Sequence, residues 1–259
     1  MNAKEIEKNE LFYFSLVNQA KKGREINEYI NPFVPQMYDH NFWYLKTKGF
    51  SAAAKNEVKR LNGKSLFLRF FGKITDNLQE ADWKLPEISG YTSSSEQLVY
   101  MVLTEKEKLS SAQTAVEIKE VVTDEDFQAY CDYTYEDGTR ISESFAEEKL
   151  RFLWFLRELS EVRFYIAVSE GKAIGSLDVY KLKDYYKIEN VFVKEAFRKQ
   201  GIAGSLIRLA VESREDQTAG ISLATDIGGM GESLYQKLGF TEAAFEVNYL
   251  LVKDEEETA

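Results

Sequence analysis

IENVFVKEAFRKQGIAGSLIRLAV, residues 188–211, contains three structural signals in succession. The apolar run at residues 188–193 predicts a short β-strand. A basic turn follows at residues 198–201, and the apolar spacing after it predicts an amphipathic helix beginning near Ile202. The role of this strand–turn–helix segment depends on what the rest of the chain contains.

The turn at residues 198–201 has the chemistry of an anion site. Backbone N–H groups at the start of a helix have no intrahelical partners, and the helix dipole places partial positive charge there. Arg198 and Lys199 add full charges, and Gly201 lets the backbone come close to a phosphate. An ordinary strand–loop–helix connection is the alternative, and the sequence that follows decides between the two.

Composition limits the classes of protein to consider. The chain has 259 residues with a single cysteine, Cys131, and a single histidine, His40. An internal disulfide is therefore excluded, and we expect no metal site of His and Cys ligands. The first residues are charged and no run of 18 or more apolar residues occurs, so we expect a cytoplasmic protein without a membrane span.

Charge is distributed unevenly along the chain. Residues 1–114 hold 16 Lys and Arg against 14 Asp and Glu, a net of +2, whereas the remainder has a net of −12 within the total of −10. Such an acidic second half argues against nucleic acid as a partner, because phosphate contacts dominate that affinity. It is compatible with a cationic substrate such as an amine, although solubility alone would explain it.

Periodicity and turn residues predict an alternation of strands and helices. Thr123 and Asp126 form a candidate capping box, and Glu170–Gly171 a hairpin turn. Strands are predicted at residues 41–45, 65–71, 97–103, 116–122, 163–169, 173–182, 220–225 and 245–252, and helices at 10–20, 51–61, 76–83, 123–134, 142–159 and 232–238, with a linker at 105–115.

A weak internal repeat divides the chain. Gly90-Tyr91-Thr92 stands 149 residues before Gly239-Phe240-Thr241, and similar strand and helix signals precede both. Where the second half has its basic turn, the first has residues 51–54, SAAA, without charge or glycine. We therefore predict a degenerate domain without a cofactor loop at residues 1–112 and a functional domain at 115–259.

Two motifs together resemble those of the GNAT (GCN5-related) N-acetyltransferases. Residues 198–203, RKQGIA, match the R/Q-x-x-G-x-G/A turn of that family, which also follows a strand ending in valine, here Val193. Residues 234–240, LYQKLGF, match its second signature, L-Y-x-x-x-G-F, and place Tyr235 thirty-two residues after Ala203. The resemblance implies an α/β (α+β) fold of two GNAT-like halves. Each would be a mixed, mostly antiparallel twisted sheet flanked by helices.

The resemblance also implies acetyl-CoA as cosubstrate, with no metal. The turn would bind the pyrophosphate, and the strand near Phe192 and Val193 would pair with the pantetheine arm. A β-bulge in this strand would let an N–H group polarise the thioester carbonyl. The implied cofactor-binding residues are Phe192, Val193, Arg198, Lys199, Gln200, Gly201, Ile202, Ala203, Gly204 and Ser205.

The predicted catalytic residues are Tyr235 and Glu189. Tyr235, with an ordinary pKa of about 10, suits protonation of the departing thiolate, although a tyrosine on a short helix can simply pack. An amine must lose a proton to attack, and Glu189, Asp178 or an ordered water is the candidate base. Strict alternation would place Glu189 on the side of Val191 and Val193.

The sequence thus predicts an acetyltransferase that moves acetyl from acetyl-CoA to an amine by direct transfer in a ternary complex. A non-catalytic acyl-CoA-binding or regulatory module is the alternative. The acceptor is a small-molecule or peptide amine, and a homodimer is compatible with the sequence. One departure from the family pattern is Gly228, where many members have an asparagine that contacts the cofactor.

Overall fold

The structure, a computed structural model, describes residues 1–47, 50–52, 54–56, 67–85, 87–111 and 114–254. The chain divides into two compact units. The first comprises Met1–Tyr100, Thr225–Ile227 and Ala243–Ala259, and the second comprises Met101–Ala224 and Gly228–Glu242.

The elements from the N-terminus to β5 begin with a well-capped helix. Asn2 accepts a hydrogen bond from the Glu5 N–H, and the Glu5 carboxylate returns one to the Asn2 N–H. This capping box fixes where the helix starts. The elements are α1 (Ala3–Val17), β1 (Gln19–Lys22), β2 (Ile26–Ile30), a 3-10 turn (Tyr38–His40), β3 (Phe42–Leu45), β4 (Phe67–Phe71), α2 (Leu78–Ala81) and β5 (Tyr91–Leu103).

The remaining elements alternate more regularly. Thr123 and Asp126 form the predicted capping box, and the hairpin turn Glu170–Gly171 has positive φ at both residues. The elements after β5 are a 3-10 turn (Lys106–Ser111), β6 (Glu117–Glu120), α3 (Asp124–Gly138), α4 (Glu143–Arg157), β7 (Val162–Ser169), β8 (Lys172–Lys181), β9 (Tyr185–Val193), a 3-10 turn (Glu195–Phe197), α5 (Ile202–Glu212), β10 (Gly220–Asp226), α6 (Met230–Lys237) and β11 (Phe240–Lys253).

The sheet of the first unit has the strand order β1-β2-β3-β4-β11-β5. β1 to β3 form antiparallel pairs, β3 pairs in parallel with β4, and β4 is antiparallel to β11. Its core is aromatic: the rings of Phe42 and Phe71 stack at 4.1 Å, with Phe14 of α1 packed against both. The run at residues 42–44 therefore belongs to the core.

The sheet of the second unit has the order β10-β9-β8-β7-β6. β6, β7, β8 and β9 form successive antiparallel pairs, whereas β9 and β10 run parallel. The predicted fold class is confirmed, since the sheets are mixed and mostly antiparallel with flanking helices. The predicted domain bounds, 1–112 and 115–259, stay predictions, as does the degenerate character of the first domain.

Some predicted boundaries are wrong. The first helix runs from Ala3 to Val17 rather than over residues 10–20, because the Asn2 capping box starts it earlier and β1 begins at Gln19. β5 and β11 begin at Tyr91 and Phe240, several residues before the predicted 97 and 245. Part of the predicted helix at 51–61, Ala53 of the compared turn and the start of the strand at 65–71 lie outside the described residues.

None of the helices in the described ranges is long and apolar enough to cross a membrane.

Candidate functional site

The two central parallel strands of the second unit separate part of the way along. β9 and β10 pair only from Tyr185 with Gly220 to Lys187 with Ser222. Both strands continue, β9 to Val193 and β10 to Asp226, but the register pairs of the described residues end there. One edge of β9 therefore keeps backbone groups available to a ligand at the carboxyl ends of the strands, where ligands bind in open α/β sheets.

The basic turn lies after the carboxyl end of β9. Arg198 folds back along the strand, where its Nε donates to the Val193 carbonyl at 3.0 Å and its guanidinium lies 5.7 Å from the centre of the Phe192 ring. Arg198, Lys199 and Gln200 are exposed. Within the described residues, neither cation forms an ion pair, so both charges are available to an anion.

The start of α5 is open for an anion. Lys199 and Gly201 have φ of 63° and 76°, and Gly201 is the N-cap without any side-chain hydrogen bond to the helix. The first N–H groups of α5 are consequently not satisfied by a capping side chain. This is the arrangement that binds phosphate groups at helix N-termini.

The predicted cofactor residues beyond Gly201 differ in what they can offer. Ile202, Gly204 and Ser205 are buried and Ala203 is half-buried, so contacts there would come from the backbone. The Ser205 N–H already donates to the Gly201 carbonyl, and its buried hydroxyl has no hydrogen bond among the described residues. Because the N–H is already bonded and the hydroxyl is buried, neither group of Ser205 supports the predicted contact with a cofactor.

A β-bulge interrupts β9 at Asn190. Asp178 of β8 stands opposite Glu189, but the next register pair is Ser176 with Phe192, so β9 has one residue more than β8. Asn190 has φ of 53°. The bulge that the family resemblance implies is therefore present in this strand.

The bulge corrects the predicted orientation of Glu189. Residues directly opposed on antiparallel strands share a face, so Glu189 and Phe192 lie on the face of Asp178 and Ser176. Val193, opposite Gly175, lies on the other face. The expected common side for Glu189 and Val193 is wrong, because the extra residue shifts the alternation by one.

Glu189 forms an ion pair with a buried lysine. Its Oε1 lies 2.8 Å from Nζ of Lys187, whose side chain is only 4% exposed, whereas the Glu189 side chain is 28% exposed. A lysine two residues away in a strand shares the face of Glu189. The ammonium group keeps the carboxylate oriented, and the partial exposure leaves a route to an amine or to water.

Asp178 is fully buried and tightly held. Its Oδ1 accepts a hydrogen bond from the Tyr130 hydroxyl and its Oδ2 from Nδ2 of Asn190, both at 2.6 Å. Burial raises the pKa of Asp178 to about 6, opposed by these two hydrogen bonds and assisted by the charge of Glu189. An aspartate so enclosed has no face through which an amine could reach it.

Tyr235 lies on α6 and is 8% exposed. Burial raises the pKa of Tyr235 to about 12, and the charge of Glu189 adds to the effect. No described residue forms a hydrogen bond with its hydroxyl, while its ring lies 6.0 Å from that of Phe240. The phenol is protonated at neutral pH and is near enough to Glu189 to feel its charge, as a general acid in one site with that carboxylate requires.

Sequence reasoning missed Lys187, Asn190 and Tyr130. Lys187 lies two residues before Glu189 and Asn190 directly follows it, and polar side chains in a half-buried strand are ordinarily expected to face solvent. A signal was present at Asn190, because asparagine is the residue after glycine that most readily takes a left-handed conformation. Tyr130 gave no such signal, since its partner Asp178 lies 48 residues away in sequence.

A separate cavity of about 380 Å³ involves none of these residues. Its arginines, Arg157 and Arg163, are each paired with carboxylates, those of Asp124 and of Glu120 and Glu215. The described part of the chain also has no group of three or more His, Cys, Asp or Glu side chains arranged to hold a metal ion.

Comparison with known proteins gives a family match for part of the chain. The family model described as "Acetyltransferase (GNAT) domain" matches residues 160–242, which include β7 to α6 and hence every site residue above except Tyr130. No curated protein matches the sequence.

Three solved structures share the fold at low identity. A functionally unknown conserved protein of Staphylococcus epidermidis has 18% identity, covers 92% of this chain and 95% of its own, and gives a TM-score of 0.71. A GCN5-related N-acetyltransferase of Kribbella flavida has 14% identity, coverage of 99% and 98%, and a TM-score of 0.61. A tandem GNAT protein from the clavulanic acid biosynthesis pathway has 15% identity, coverage of 80% and 69%, and a TM-score of 0.51.

Residues 160–242 thus match the model of the GNAT acetyltransferase domain. The chain shares its fold with GNAT acetyltransferases, including a tandem one.

Proposed function

We propose that this protein transfers the acetyl group of acetyl-CoA to the nitrogen of an amine. The observation that supports this most is the separation of β9 from β10 beyond Lys187, next to a helix start without a capping side chain. An open strand edge suits the amides of a pantetheine arm, and the helix start suits a pyrophosphate.

The residues of the turn would hold the cosubstrate by charge and by backbone hydrogen bonds. Arg198 and Lys199 would neutralise the pyrophosphate, and the N–H groups of residues 201–204 would donate to its oxygens. Phe192 and Val193 would offer main-chain groups along β9. Acetyl-CoA supplies the activated acetyl group as a thioester.

The site residues would manage the protons of the transfer. A C–N bond forms as the C–S bond breaks, so the amine loses a proton and the sulfur needs one. Glu189, held by Lys187, or a water at Glu189 would accept the amine proton. Tyr235, whose hydroxyl has no hydrogen-bond partner among the described residues, would protonate the thiolate.

The acceptor is proposed as a cationic small-molecule or peptide amine. The net charge of −12 over residues 115–259 supports a positively charged acceptor. A binding module for acyl-CoA that transfers nothing is the other candidate, since the same turn would serve it.

Calorimetric titration of acetyl-CoA against Arg198→Ala tests the pyrophosphate assignment. We expect affinity to fall about tenfold or more, because a charge-assisted contact contributes roughly 1.5–3 kcal/mol. Lys183→Ala is the matched control: it removes an exposed cation from the turn before β9, at the other end of that strand. Equal affinity in the wild type and Arg198→Ala would reject the assignment.

A further inference from the structure

Asp178 connects three elements at the bulge. It lies on β8, accepts from Tyr130 of α3 through one carboxylate oxygen, and accepts from Asn190 of β9 through the other. Both bonds are 2.6 Å long, which is normal for a hydroxyl bonded to a carboxylate and short for an amide N–H. A buried carboxylate with two such donors fixes the positions of both.

Asn190 needs such a fixed position. It is the extra residue of β9, with φ of 53°, a conformation that residues other than glycine rarely adopt. Asn190 is exposed as a residue, but its side-chain amide is tied to a carboxylate with no exposed surface. The hydrogen bond to Asp178 therefore selects the bulge over a regular strand.

Tyr130 holds the other side of the carboxylate. Its side chain is buried, its ring packs 5.3 Å from that of Phe164, and burial with the charge of Asp178 holds the pKa of Tyr130 well above its usual value. Its hydroxyl is a permanent donor, which anchors Asp178 to the middle of α3.

We propose that Asp178 is a positioning residue, which locks the β9 bulge through Asn190 and so aims the main-chain N–H groups of residues 190 and 191 at the thioester carbonyl. The extra residue of a bulge has no partner in the ladder, so its polar groups are free to meet a ligand. Donors held in place before the reaction polarise a carbonyl at no cost of reorganisation. This inference rests on the proposed acetyl-CoA site.

The variant that isolates this role is Asn190→Gly. Glycine accepts the positive φ and cannot bond Asp178, so the fold is kept, Asp178 stays in place, and only the lock is lost. Glu170→Gly is the matched control, because Glu170 is an exposed residue of the β7–β8 hairpin with φ of 51°. It makes the same exchange in the same sheet without touching the bulge.

The test combines three measurements on the full chain with acetyl-CoA labelled by ¹³C at the thioester carbonyl. In Asn190→Gly we expect the infrared carbonyl band, lowered on binding to the wild type, to return towards its position in free acetyl-CoA. The kcat for amine acetylation should fall at least about tenfold, while the Kd for acetyl-CoA stays within about twofold. Asp178→Ala should give the same pattern. The double variant should be no more impaired than either single variant, because both substitutions remove the same hydrogen bond.

Different results separate the two proposals. If the wild type binds no acetyl-CoA, the proposed function is wrong and this inference with it. If the wild type binds and shows the lowered band, but Asn190→Gly keeps both band and kcat, this inference alone is overturned. Activity lost in Asp178→Ala yet kept in Asn190→Gly would also overturn it, since Asp178 would then act as a base and not through the bulge.

Discussion

Around the bulge, Asp178 and Glu189 lie on the same face of the sheet but have different electrostatic surroundings. Asp178 is buried and bonded to two neutral donors, whereas Glu189, directly across from it, is held by Lys187. Burial raises the pKa of Asp178, whereas the ion-paired Glu189 side chain is 28% exposed. This division supports Glu189, not Asp178, as the group that meets the amine.

Asp178 should make stability depend on pH. Burial raises the pKa of Asp178 from 3.8 to about 6. The contribution of this carboxyl to the free energy of unfolding is therefore fully present below pH 4 and is lost as the pH rises through 6. The difference amounts to about 3 kcal/mol. We expect the free energy of unfolding of the wild type, relative to Asp178→Asn, to fall by about that amount between pH 4 and 7 in urea titrations. A constant difference would show that Asp178 has an ordinary pKa.

Tyr235→Phe should impair the chemical step and spare binding. Its phenol is protonated at neutral pH, and general acids contribute about a hundredfold or more to rate. We expect kcat to fall by about that factor, with the Kd for acetyl-CoA unchanged by calorimetry. Tyr165→Phe is the control, because the Tyr165 hydroxyl is also buried but bonds to Ser213. An equal loss in both variants would indicate a packing role for Tyr235.

Among the elements, two helix starts differ in the backbone N–H groups that they could offer to a phosphate. At the start of α5, Gly201 leaves the first N–H groups without a side-chain cap. In the first unit, the Ser51 hydroxyl accepts from the Ala54 N–H at 3.3 Å, which is the hydrogen bond that a capping side chain makes. Each of these segments lies between two parallel strands, β9 and β10 in one unit and β3 and β4 in the other. A capped start has less to offer a phosphate.

The repeated glycines before the long strands provide an element-scale prediction. Gly90 and Gly239 both have positive φ and precede β5 and β11. A Cβ on Gly90 would meet nothing within 4 Å, whereas one on Gly239 would lie 2.2 Å from the Glu105 carbonyl oxygen. We expect Gly90→Ala to reduce the free energy of unfolding by about 1–2 kcal/mol and Gly239→Ala by about 3 kcal/mol or more. Equal losses would mean that the contact with Glu105 adds nothing.

Periodicity and turn chemistry made most elements of the second unit predictable. The hairpin at Glu170–Gly171, the capping box at Thr123 and the turn before α5 all follow from local rules, and each lies where expected. The bulge could not be derived from alternation, because one extra residue reverses every later side chain. The locking of Asn190 by Asp178 depends on pairing between strands, which no local pattern contains.

For the molecule as a whole, the sign of the charge predicts how the acceptor binds. The excess of carboxylates over residues 115–259 would attract a cationic amine and weaken as salt screens it. We expect the KM of a cationic acceptor to rise severalfold between about 0.01 M and 1 M salt, as the Debye length falls from about 30 Å to about 3 Å. A neutral nucleophile such as hydroxylamine is the control and should show little change. A flat response for the cationic acceptor would argue against electrostatic recognition.

The most direct test of the central claim is mass spectrometry of a panel of amines incubated with the protein and isotopically labelled acetyl-CoA. We predict that at least one amine acquires the labelled acetyl group, with one free thiol of CoA released for each acetyl transferred, and that Tyr235→Phe slows both together. Acetyl-CoA that binds to the wild type but labels no amine, with no thiol released, would contradict the account and leave a binding module in its place.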